Sequence, residues 1–183
     1  MLSAMFGFRR KVTLEDFAQE LVRFSLSELS LSASDEARYR NDAIKRGANP
    51  KTYLFETVFF RCMETWHALF TAQARKKLTV SQWQFLNERF LVSVMDSLSS
   101  QAARQSPWDA PLAEILHERL VEYRDATAGT DSAAMGTDAI CRVFAKVCSG
   151  DPMNEALFKE AKIAFMVGAN QLVDVISNVK FIA

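Results

Sequence analysis

Glu64-Thr65-Trp66-His67 sets a carboxylate and an imidazole one helical turn apart, a spacing that lets both grip one metal ion. The same Glu-x-x-His order recurs at Glu114-Ile115-Leu116-His117, so both histidines of the chain sit in this pattern. In di-metal carboxylate bundles, two such pairs on separate helices are completed by one Glu from each of two further helices. Glu64, His67, Glu114 and His117 therefore define a metal-dependent, di-iron-like enzyme if the two pairs face each other. The two remaining carboxylates do not emerge from the pattern, because Glu20 and Glu88 read as facing the polar sides of their helices. The ligand set stays incomplete, and the residues call for no particular cofactor.

A second group concerns ligand binding. Phe59, Met63, Trp66, Phe70, Trp83 and Phe90 lie at helical spacing on two neighbouring segments. They can line an apolar pocket of a small-molecule-binding regulatory domain, or they can fill a core. A third group lies at the start of the chain, where Phe6 and Phe8 precede Arg9, Arg10 and Lys11. Apolar side chains followed by cations give weak peripheral contact with an anionic membrane, each cation contributing about 1 kcal/mol.

Other chemistries lack their residues. There is no Gly-x-Ser-x-Gly nucleophile elbow and no Gly-rich phosphate loop. Cys62 and His67 are five residues apart on one helix, an offset that does not bring thiol and imidazole together. Twenty-two basic residues balance 22 acidic ones, which leaves no excess to neutralise a nucleic-acid backbone. The three cysteines, Cys62, Cys141 and Cys148, form an odd set on apolar helical faces and read as reduced, buried thiols. Cys141 and Cys148 are two turns apart, roughly 10 Å at 1.5 Å per residue, too far for a disulfide within one helix. The first residues carry their charges after a short apolar part, the wrong order for a secretory signal, and no run approaches the roughly 20 apolar residues of a membrane span. A cytoplasmic protein is the expectation.

The elements that must position these residues are helices. Residues 51–76 are apolar around most of their circumference, through Tyr53, Phe55, Val58, Phe59, Phe60, Met63, Trp66 and Leu69. Such a helix must be surrounded by others, so it is the expected buried hub. Thr13 and Asp16 signal a helix start, with Leu14, Phe17, Ala18, Leu21 and Phe24 on one stripe. A polar break at 30–34 precedes a short surface helix from Ser34 to about Arg46. Thr79 with Gln82 forms a capping box for a helix from Val80 to Ala102. Ser106-Pro107-Trp108 predicts the next start. Residues 127–137 look least structured, followed by helices over about 138–147 and 153–178. In the last of these, Gly168 and nearby alanines invite close approach of another helix, from the hub or from a second subunit.

The sequence thus predicts a tail over 1–11 and, over 12–183, a single all-α domain: a bundle of six or seven helices around the hub at 51–76. An interaction module that binds a protein partner or a second copy of itself, including as a homodimer, is the leading functional expectation. The metal-dependent enzyme and the aromatic-pocket regulator are its rivals.

Overall fold

The computed structural model describes residues 10–100 and 107–182. Among them lie seven α-helices and one pair of three-residue strands. They run β1 (Lys11–Thr13), α1 (Leu14–Ser25), a 3-10 turn (Ser27–Ser30), α2 (Ala33–Lys45), α3 (Pro50–Ala74), α4 (Val80–Ser100), α5 (Leu112–Ala126), α6 (Ala133–Ser149), α7 (Glu155–Asn178) and β2 (Lys180–Ile182). The all-α class holds.

Local chemistry sets most of the helix ends. Thr13 Oγ1 accepts from Asp16 N at 3.1 Å, and Ser32 Oγ from Asp35 N at 3.2 Å. Asn49 caps α3 with Pro50 at its first position, where a missing N–H costs nothing. Thr79 and Gln82 form the reciprocal capping box, with contacts of 3.0 and 3.2 Å. Gly150 takes φ +78° to end α6, a left-handed conformation open to glycine without steric cost.

α3 packs against every other helix and against the 3-10 turn. Its need for apolar residues all round follows from serving two cores at once. Phe55, Val58, Phe59 and Leu69 join Phe17, Leu21, Leu86, Phe90, Val94 and Ile176 on one side. Tyr53, Phe60 and Met63 join Tyr123, Phe144, Leu157 and Phe165 on the other. Phe60 is the pivot of the second cluster, with ring centroids 4.9 Å from Phe144 and 5.8 Å from Phe165.

Four expectations change. α6 begins at Ala133 rather than near 138, because Ser132 caps it by accepting from Met135 N at 3.2 Å. α5 begins at Leu112, not beside Pro107; Trp108 instead stacks on Phe59, 5.8 Å between centroids. The predicted cap Ser106 and the predicted helix end at Ala102 lie outside the described residues. α2 starts at Ala33, capped by Ser32, rather than beginning at Ser34. The chain ends also pair: β1 and β2 run parallel with Val12 opposite Phe181, and the Phe181 ring meets Phe17 edge-on at 5.4 Å. Lys11 is therefore part of the fold rather than of a tail.

Candidate functional site

Glu56, Glu64 and Thr65 of α3 point into the protein, and each finds a different neighbour. Glu56 is wholly buried. Arg119 Nε donates to its Oε2 at 3.0 Å, and Tyr123 Oη donates to its Oε1 in a very short contact. Arg119 also pairs with Glu122, which lies 3.6 Å from Lys146 Nζ. This chain of charges ties α3 to α5 and α6. Burial pushes the Glu56 carboxyl up to about 7 against the opposing pull of Arg119. Arg119 and Tyr123 are four residues apart, so one face of α5 delivers both donors. The group is a polar pin between helices, with its polar atoms engaged with one another.

Two more carboxylates play similar parts. Glu28 of the 3-10 turn binds Arg61 at 2.5 Å, and Arg61 also donates to Ser27 Oγ at 2.7 Å. Glu160 of α7 accepts from Tyr53 Oη at 2.7 Å and pairs with Arg46 at 2.6 Å. A buried hydroxyl pair, Ser25 with Thr65 at 2.9 Å, completes the polar seam.

Glu64 differs from these. It is buried, with no hydrogen bond or ion pair among the described residues, and its carboxyl presses against the backbone of α7 at Gly168. A Cβ at Gly168 would stand 2.8 Å from Glu64 Oε2, so glycine there makes the room. Desolvation raises the Glu64 carboxyl to about 8, with Arg61 pulling it down and Glu28 pushing it up. His67, one turn on, packs its ring 5.2 Å from Phe165, and burial lowers its pKa.

The proposed metal ligands are therefore not brought together. Glu64 and His67 turn toward α7, whereas Glu114 and His117 are exposed on α5. Among the described residues no group of three or more His, Cys, Asp or Glu is placed to hold a metal ion. The first pair lies on α3 itself and turns toward α7, while His117 of the second lines a surface groove beside Trp66.

The six aromatic-pocket residues separate as well. Phe59 and Phe90 fill the first core, and Met63 fills the second. Trp83 lies at the edge of the first, Trp66 at the edge of the second, and Phe70 is 52% exposed. Trp66 lines an open groove of about 170 Å³ with Leu91, His117, Leu120, Val121 and Arg124. That is smaller than the roughly 300–1,000 Å³ of ordinary ligand clefts. Of the membrane-contact residues, Phe6, Phe8 and Arg9 lie outside the described residues. Arg10 is held by Glu20 at 2.7 Å, and Lys11 is in β1. Among the described residues no helix is long and apolar enough to cross a membrane.

The outer face of α7 is also open to the surface. Its inner face (Leu157, Ala161, Phe165, Ala169, Leu172, Ile176) is buried, and Gly168 meets Glu64 of α3 within the chain. On the outer face Ile163 is 65% exposed, Met166 52% and Val167 50%. The spacing i, i+3, i+4 makes them neighbours. Sequence reading gave this helix a close-packing face through Gly168 and missed the second, outward one. The signal was present: α7 has apolar residues at 163, 165, 166 and 167, more than one buried stripe can use. No family model, curated protein or solved structure matches the chain.

Proposed function

We propose that the chain is a helical protein-interaction module that works as a pair of copies, with the outer face of α7 as its docking surface. The observation that supports this is the contiguous patch of Ile163, Met166 and Val167 on the solvent side of a helix already anchored by its other face. Single exposed apolar side chains are ordinary. Three together expose roughly 300 Å² of apolar surface, the size at which patches on monomers are often functional. The buried free thiols of Cys62, Cys141 and Cys148 fit a reducing compartment, and we place the module in the cytoplasm.

The test is the molar mass of the whole chain by light scattering over a concentration series, with Val167→Asp as the comparison. Mass rising from 20.6 kDa toward twice that value is expected for the native chain. Val167→Asp should hold it at 20.6 kDa with an unchanged thermal melt, since the side chain is exposed. A native chain that stays monomeric to several hundred micromolar overturns the reading.

A further inference from the structure

We propose that the two copies dock antiparallel along α7, with the two-fold axis passing between Met166 and Val167. This rests on the reading of α7 as the docking face and adds its geometry. α7 carries five charged side chains: Glu155, Lys159, Glu160, Lys162 and Asp174. Three are satisfied within the fold, Glu155 by Arg142 at 2.8 Å, Glu160 by Arg46 at 2.6 Å and Lys162 by Asp138 at 2.7 Å. Lys159 and Asp174 are both exposed, and neither side chain has an ion pair or hydrogen bond among the described residues. They are the two charges left to meet something outside.

Their placement says what. At about 100° per residue, Lys159 and Asp174 fall in the same angular sector as Ile163, Met166 and Val167. One lies a turn before the apolar patch and the other two turns after it. They are roughly 22 Å apart along the helix at 1.5 Å per residue. The midpoint between them falls between Met166 and Val167, in the middle of the patch. A two-fold axis at that point reverses the second helix. Each Lys159 then meets the partner's Asp174, twice over, while the apolar centre covers itself. A parallel pairing in the same register sets Lys159 against Lys159 and Asp174 against Asp174, a like-charge arrangement. The patch is therefore self-complementary, as an isologous dimer interface requires. Ile163 comes opposite Asn170, whose Nδ2 already donates to the Met166 carbonyl at 2.7 Å, so covering it leaves that donor bonded. One helix face buries less than the roughly 800 Å² per partner of a standard interface, which points to a weak, charge-tuned dimer.

Charge exchange tests this. Sedimentation equilibrium at low salt compares the native chain with Lys159→Glu, Asp174→Lys and the double swap. Each single change turns two attractive pairs into repulsive ones, and at a factor of about 2–5 for each exposed pair the dimer should weaken roughly tenfold or more. The double swap rebuilds the pairs in reverse and should return the affinity to within about twofold of the native chain. Single changes that weaken the dimer with no recovery in the double swap overturn the antiparallel register. Single changes without effect, in a dimer that Val167→Asp still dissociates, also overturn it while leaving α7 as the docking face. A native chain with no dimer at all overturns the docking face itself.

Discussion

Replacing Glu64 by glutamine keeps the side chain's shape and removes its ionisable group. In the fold the carboxyl is buried against Gly168 with no hydrogen-bond donor, and it titrates at about 8 instead of 4.5 because burial disfavours its charge. Below pH 4.5 it is protonated whether the chain is folded or not. Between 4.5 and 8 the folded protein keeps a proton that the unfolded chain has released, so stability falls as pH rises, and above about 8 the loss is complete. A span of about 3.5 pH units at about 1.36 kcal/mol each amounts to roughly 4–5 kcal/mol. The Glu64→Gln variant carries no such penalty. Its amide introduces its own unmet hydrogen bonds, but these shift stability by a constant that does not depend on pH. His67, which titrates nearby with a lowered pKa, is common to both proteins and cancels in the comparison. The assay is thermal unfolding of the native chain and Glu64→Gln at intervals from pH 5 to 9. In a chain of this length 1 kcal/mol moves the midpoint by about 2–4 °C, so the variant should gain roughly 10 °C on the native chain between the two ends. Parallel curves across the whole range would refute the reasoning, since they would mean that the Glu64 carboxyl ionises in the fold at its ordinary pKa.

Other expectations follow from the same seam. Arg119→Ala leaves Glu56 buried beside Tyr123 alone, and denaturant unfolding at pH 8 should show a loss of about 3–5 kcal/mol, smaller at pH 5 where the carboxyl is protonated. Gly168→Ala should destabilise the native chain despite a helix-propensity gain of about 1 kcal/mol, and should stabilise the Glu64→Ala variant, where the opposing carboxyl is gone; melts of the four proteins check the coupling. All three thiols are buried, and burial raises each one's pKa, Cys141 to about 12; a thiol reagent should find none within minutes at pH 7.5 and three after unfolding.

The apolar circumference of 51–76 was enough to name the hub, because only encirclement by other helices can bury Phe55, Phe59, Phe60 and Met63 together. The Thr13 and Thr79 caps were readable for the same local reason: each needs only a side chain and an amide three residues on. Ser132 was overlooked as a cap because the Gly and Thr residues around it resemble a loop. Trp108 was read as a helix residue, although its ring is held by Phe55 and Phe59, more than 45 positions away in sequence and beyond any local rule. The polar seam shows the same limit. Glu56 sits on an otherwise apolar helix, yet nothing local says that Arg119 and Tyr123 would turn toward it. The Glu-x-x-His pairs meet the opposite limit. Their spacing is a local fact, but a metal site depends on which way two helices face, and here Glu64 faces Gly168.

Pairing through the outer face of α7 is tested most directly by cross-linking the whole chain through a single cysteine at Val167. The native thiols are buried, so Val167→Cys supplies the reactive group, and Arg38→Cys, whose native side chain is exposed on α2, supplies the control. With a short bis-maleimide at several hundred micromolar protein, the expected result is a covalent dimer from Val167→Cys and monomer from Arg38→Cys. Monomer from both, or equal dimer from both, would contradict an interface on α7.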